Sequence, residues 1–203
     1  ARAARTVEYH DPRAGKPTLS RAYVAPSYNT AKPGEAEALD VLMKIVGSGA
    51  TSRLYQKLVS EQKIASSAGG YYIGSALDTG KIGVYGVPTE GQTLDVVAAA
   101  IDAVIAEVKE KGVTAEELAR AKTTYIAEFI YESDNQATLA RRYGWGLVVG
   151  RTIAQIDSWP DMISKVTLED VKAAAEKHLD IRHSVTGRLI PTADSKSPVP
   201  GRT

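Results

Sequence analysis

Apolar residues recur at helical spacing over much of this chain. Leu39, Leu42 and Val46 share one face of a predicted helix over residues 35–46. A longer apolar stripe follows; its members are Leu94, Val97, Ile101, Val104, Ile105 and Val108. Because a 3.6-residue period places such positions on one side of a helix, both segments predict amphipathic helices packed on a core.

Polar residues that cap helices mark the remaining helical segments. Thr114 and Glu117 have the spacing of a capping box, in which each side chain accepts a backbone N–H of the first turn. Thr152 opens a second box, and Thr167 with Asp170 forms a third in which aspartate replaces glutamate. Helices are therefore predicted at about 52–62, 114–133, 134–149 with Asp134 as the cap, 152–163 and 167–179.

Four segments have the composition of β-strands, namely 18–25, 64–73, 81–87 and 183–190. The polar link over 74–80 fits a hairpin between the second and third of them. Strands do not alternate with helices, so a doubly wound parallel sheet is not favoured. The order predicts an α+β fold, with one mostly antiparallel sheet and helices packed on one face. Residues 1–17 are predicted to be a connecting arm, 18–190 a single domain and 191–203 a flexible tail.

Composition narrows the range of functions. The 203 residues include 25 basic and 24 acidic side chains, which are mixed along the chain and leave a net charge of +1. No basic stripe indicates nucleic-acid binding, and no apolar run approaches the ~20 residues that span a bilayer. The expected protein is soluble, neither inserts into a membrane nor binds nucleic acid, and belongs in a bacterial periplasm or cytoplasm. The sequence does not decide between these compartments.

Metal chemistry has few candidate ligands. The chain has no cysteine, and its three histidines are His10, His178 and His183. A hydrolytic zinc site needs about three protein ligands, and its helical form places two histidines four residues apart. His178 and His183 are five apart and flank a predicted helix end. We therefore expect no metal, no cofactor and no catalytic residue in this chain.

A loop rich in small residues runs into a helix over 47–58. It is too short for the elbow of a serine hydrolase and lacks the Gly-Lys-Ser/Thr ending of a phosphate-binding loop. Its exposed amides and glycines allow a peptide backbone to come close. The alternative is a helix end followed by the cap of the next helix. The candidate substrate-contact residues are Gly47, Ser48, Gly49, Ser52 and Arg53.

Three segments carry a family resemblance: 19–26, 47–66, and 150–179 with the strand 184–191. In this order and spacing the chain resembles the C-terminal, non-catalytic domain of the pitrilysin/insulinase-like (M16) zinc metallopeptidases, of the bacterial processing-peptidase type. The resemblance implies half of a clamshell around an extended peptide. It implies a partner, either a zinc-bearing N-terminal domain with His-x-x-Glu-His or an active subunit, and it places the zinc there.

Two further implications follow from the resemblance. Active relatives often supply an arginine and a tyrosine, seven apart, after the helix that follows the loop; here Ser60 and Ser66 stand nearest. The resemblance therefore does not extend to stabilisation of the transition state by this domain, but it still implies enclosure of the substrate. The alternative function is that of a scaffold subunit, like the core proteins of the cytochrome bc1 complex.

Overall fold

The computed structural model describes residues 3–192. Its strands form one five-stranded sheet in the order β1-β5-β2-β4-β3. They are β1 Arg5–Asp11, β2 Thr18–Pro26, β3 Ala65–Ile73, β4 Thr79–Pro88 and β5 Ser184–Pro191. Only β1 and β5 pair in parallel, and the other neighbours are antiparallel. The predicted α+β class, with a mostly antiparallel sheet, is confirmed.

The helices follow the predicted order. They are α1 Glu35–Gly47, α2 Arg53–Tyr55 with a π-helical turn over Gln56–Glu61, α3 Leu94–Lys111, α4 Ala115–Glu132, α5 Gln136–Val148, α6 Ile153–Asp157, α7 Trp159–Lys165 and α8 Leu168–His178, and a 3-10 turn spans Ile181–His183. The three capping boxes are all present. Two details were wrong. Asn135 rather than Asp134 caps α5, and the helix predicted over 152–163 breaks at Ser158 into α6 and α7.

One face of the sheet is buried beneath the helices. Along β2, Leu19, Tyr23 and Ala25 are at most 2% exposed, whereas Ala22 and Val24 face outward. This alternation follows from the two-residue period of a strand. Helix α1 lies against β3 and between α4 and α8, and its apolar stripe is fully buried. It is the central helix of the core.

The N-terminal segment differs from the prediction. The connecting arm predicted over residues 1–17 contains β1, which pairs with β5 from Arg5 opposite Val185 to Asp11 opposite Pro191. The strand was missed because nearly all of its side chains are exposed. Edge pairing needs only backbone groups, so it leaves no hydrophobic pattern in the sequence. Of the predicted tail, 193–203 lies outside the described residues, and the division of the chain at 17 and 190 stays a prediction.

Candidate functional site

The loop from α1 to α2 begins with a close contact between backbones. Gly47, the last residue of α1, lies so near β3 that a Cβ there would come within 2.4 Å of the Gly70 nitrogen. Two glycines facing each other let the helix end lie directly on the strand. Gly47 is buried and therefore fixes where the loop leaves the core.

The tip of the loop is open to solvent. Gly49 has φ +76°, the left-handed conformation that commonly follows a helix end. Gly49, Ala50 and Thr51 are exposed, and Ser48 is half-buried. Within residues 3–192 the amides of Gly49, Ala50 and Thr51 donate no hydrogen bond to another group of the protein. These three N–H groups are therefore free to bond to a peptide carbonyl.

Ser52 and Arg53 have partners within the protein. Ser52 is buried; its hydroxyl donates to the Gly49 carbonyl at 2.8 Å, and its Oγ caps α2. Arg53 donates to both carboxylate oxygens of Glu117 at 2.8 and 2.7 Å. Burial alone would raise the pKa of Glu117, but the hydrogen bonds from Arg53 and Thr114 and the charge of Arg53 together outweigh it and hold that pKa below the ordinary value. Hydrogen bonds to the charged form thus tie the loop to the start of α4.

A groove of about 450 Å³ lies between the loop and α4. It is lined by Lys44, Ile45, Ser48, Gly49, Thr51, Glu117, Arg120, Ala121, Thr124 and Glu128. The predicted residues Ser48 and Gly49 form one wall. Gly47, Ser52 and Arg53 support that wall from behind.

Sequence reasoning missed the opposite wall. Lys44 donates to Glu128 at 2.8 Å across the groove. Glu117 was recognised only as a helix cap, although its carboxylate serves both Thr114 and Arg53. The repeated use of one acidic residue is not visible in sequence spacing. No local pattern could have placed these side chains beside residues 48–53.

Within the part of the chain that the structure describes, histidines and acids do not assemble into a metal centre. Over residues 3–192 no three His, Cys, Asp or Glu side chains lie close enough together to hold an ion. His178 contacts Glu35 at 2.9 Å, and His10 contacts Glu8 at the same distance. His183 lies at the other end of the segment that follows α8, 3.9 Å from Asp180. No helix in this part of the chain has the length and apolar character that crossing a membrane requires.

Comparison with known proteins decides the family. The profile of the Peptidase M16 inactive domain matches residues 2–125. The chain belongs to this family. A curated relative, an uncharacterized zinc protease of Streptomyces coelicolor, is 30% identical over 149 residues, which cover 73% of this chain. The M16 inactive domain spans 32% of that relative's length.

Solved structures share the fold of this M16 inactive domain. A protease from Helicobacter pylori superposes with a TM-score of 0.86 at 21% identity, over 94% of this chain and 44% of that one. A chain of complex III2 from Candida albicans superposes with a TM-score of 0.76 at 20% identity, over 94% and 46%. The match to the inactive-domain family confirms the resemblance drawn from residues 19–26, 47–66 and 150–179 with the strand 184–191.

The M16 inactive domain also contains a half-buried polar cluster that the sequence did not predict. Asp40, in the middle of α1, accepts hydrogen bonds on Oδ2 from the Tyr28 hydroxyl and from Trp159 Nε1, the latter at 3.2 Å. Burial raises the pKa of Asp40 to about 6, although the hydrogen bonds from Tyr28 and Trp159 act against this. The only sequence signal is an acidic residue between the apolar neighbours Leu39 and Val41.

Proposed function

We propose that this chain is the substrate-enclosing domain of an M16-type zinc peptidase. It pairs with a zinc-bearing M16 domain or subunit, and the zinc and the catalytic groups belong to that partner. The parent is then a zinc metalloendopeptidase, which acts in the periplasm or the cytoplasm. Membership of the inactive-domain family supports the proposal, and so does the 32% share of the Streptomyces relative that the chain covers.

The observation that carries the peptide-holding role is the open tip of the α1–α2 loop. Three consecutive amides, those of Gly49, Ala50 and Thr51, have no acceptor within residues 3–192, and Gly49 and Thr51 line the groove against α4. An extended peptide offers carbonyl oxygens that would pair with such amides. The mixed charges of Lys44 and Glu128 across the groove favour contact with the backbone over selection of one side-chain charge.

The test is peptide cleavage by the zinc-bearing M16 domains of the source organism, each co-expressed with this chain or purified without it. We expect kcat/KM to rise about tenfold or more with the chain present, because positioning by the second half adds to the zinc chemistry. The chain alone should not hydrolyse peptides. Hydrolysis by the purified chain that a chelator abolishes would contradict the proposal.

Loop variants separate peptide holding from scaffolding. Ala50→Lys and Ala50→Glu add bulk at the exposed tip, and Thr51→Pro removes one free amide. Ala99→Lys, at an exposed position of α3, is the matched control. We expect the loop variants to raise KM while melting temperature and partner binding stay unchanged. A complex that forms normally but cleaves equally well with every variant favours the scaffold function, the alternative suggested by the likeness to a chain of complex III.

A further inference from the structure

A second cavity, of about 290 Å³, lies farther along α4 than the groove beside the α1–α2 loop, and Glu128 lines both. Five aromatic rings and five charged side chains contribute to its wall. The rings are those of Tyr28, Tyr72, Tyr125, Phe129 and Trp159. Asp40, Arg142 and Arg151 are among the charged side chains. Aromatic walls with a few convergent polar groups are typical of small-molecule sites.

Two arginines on this wall have nitrogens without a hydrogen-bond acceptor. The buried atoms Arg142 Nη1 and Arg151 Nε are two of the three such side-chain atoms in residues 3–192. The Arg142 guanidinium lies 3.8 Å from the ring centre of Phe129, and that of Arg151 lies 4.0 Å from the ring centre of Tyr28. Buried donors without a partner are costly, and two beside one cavity indicate a missing acceptor.

The acidic groups on the same wall do not supply that acceptor. Glu132 accepts from Arg142 Nη2 at 2.7 Å, and Glu128 accepts from Lys44. Asp40 uses Oδ2 for Tyr28 and Trp159, and within the described residues its Oδ1 has no partner. With Asp40 protonated, its hydroxyl becomes a third donor beside the two guanidinium groups.

We propose that this cavity binds a carboxylate attached to an aromatic or branched apolar body. The carboxylate would accept from Arg151 and Arg142, and the body would lie among the tyrosine, phenylalanine and tryptophan rings. Two sources share this chemistry, namely a small organic acid and the C-terminal residue of a peptide. Both nitrogens are covered by neighbouring atoms, so the guanidinium planes have to turn for the ligand to reach them.

Binding should depend on pH. The bound carboxylate and an ionised Asp40 repel each other, so affinity should rise as the pH falls through about 6, the pKa of Asp40. The other titratable or charged groups that face Asp40 from the packed elements are Tyr28, Glu37, Tyr72, Tyr125, Glu128, Glu132, Arg142, Arg151 and Lys44. Below pH 5 the carboxylates of the protein and the ligand begin to protonate, so the test is confined to pH 5–8.

The experiment uses isothermal titration calorimetry together with tryptophan fluorescence. The probes are 3-phenylpropionate and its neutral amide, and N-acetyl-Ala-Ala-Phe with a free or an amidated C-terminus. Since Trp159 lines the cavity and Trp145 does not, a Trp145→Phe background assigns the fluorescence change. Arg151→Gln and Arg142→Gln remove the two donors. Arg182→Gln, at an exposed position outside both this cavity and the groove beside the α1–α2 loop, is the matched control, and thermal melts check that each variant folds.

We expect saturable binding of at least one acid, and its amide at least about tenfold weaker, because a charged hydrogen bond is lost. Arg151→Gln should weaken binding by a similar factor and Arg182→Gln should not. Preference for the small acid or for the peptide terminus identifies the source. Equal binding of acid and amide, or binding of neither acid by the folded wild-type chain, overturns the proposal. None of these outcomes depends on a zinc-bearing partner, so failure here leaves the proposed function standing.

Discussion

Replacing Gly47 by alanine tests the packing of the loop base. The added Cβ would lie 2.4 Å from the Gly70 nitrogen and 2.5 Å from its Cα. Ordinary contacts begin at about 3.4 Å, so α1 and β3 must separate by about 1 Å. Because the obstacle is strand backbone, no side-chain rotation relieves it. The separation would loosen the packing around α1, the central helix of the core.

The magnitude follows from two opposing contributions. Overpacking a core costs about 1–3 kcal/mol, and a backbone clash belongs at the upper end. Alanine in place of glycine in a helix gains about 0.5–1 kcal/mol. We therefore expect a net loss of about 2 kcal/mol in the free energy of unfolding. For a chain of this size that lowers the melting temperature by about 4–8 °C.

Urea unfolding followed by far-UV circular dichroism measures the effect, with Gly144→Ala as the control. Gly144 is also helical, but nothing lies within 4 Å of the position that a Cβ would take there, so the same substitution should stabilise by about 0.5–1 kcal/mol. The two variants thus differ in sign. A Gly47→Ala protein as stable as wild type would refute the close approach of α1 to β3.

Three more predictions concern other parts of the chain. Arg53→Leu strands the half-buried Glu117 carboxylate and should cost about 1–3 kcal/mol, and a double-mutant cycle with Glu117→Gln should show strong coupling rather than additive losses. Asp40 binds its proton more tightly when folded, since its pKa rises from 3.8 to about 6, so the free energy of unfolding should fall as the pH rises from about 4 to 6. Asp40→Asn should flatten this fall in stability, most clearly above pH 4.5. Below pH 4.5 Glu35, whose pKa is lowered from 4.5 to about 2, has the opposite effect on stability. If the slope of stability against pH in urea titrations is the same in Asp40→Asn as in wild type, Asp40 is not its source. Gly146→Ala meets only the far end of the Ile156 side chain, which can turn, so its loss in urea unfolding should stay under about 1 kcal/mol, and a loss as large as that of Gly47→Ala would count against this distinction.

Local sequence patterns predicted most of the helices and strands. The stripe from Leu94 to Val108 and the boxes at Thr114 and Thr167 depend on residues no more than four positions apart, so sequence spacing predicts them directly. Strand β2 was equally visible, since its alternation reports one buried and one exposed face. β1 was not visible, because an exposed edge strand needs no apolar period.

In the candidate site, too, local patterns were visible in the sequence and long-range contacts were not. The loop over 47–53 was found from its small residues and its position between two helices. Two of its contacts join residues that are far apart along the chain. Gly47 packs on Gly70, 23 residues away, and Arg53 pairs with Glu117, 64 residues away. Which residues of the loop stay open to a peptide was therefore decided by contacts that no spacing rule contains.

By itself the sequence determined the α+β class, the family and the lack of a histidine pair at zinc spacing, since each depends on residue types or short-range periods. Only the tertiary structure decided that Asp40, Tyr28, Arg142, Arg151 and Trp159 border one cavity. These residues come from α1, α5, α7, the loop before α1 and the loop after α5. They meet where α1, α4 and α7 pack together. Burial then raises the pKa of Asp40, because a carboxyl removed from water holds its proton to a higher pH.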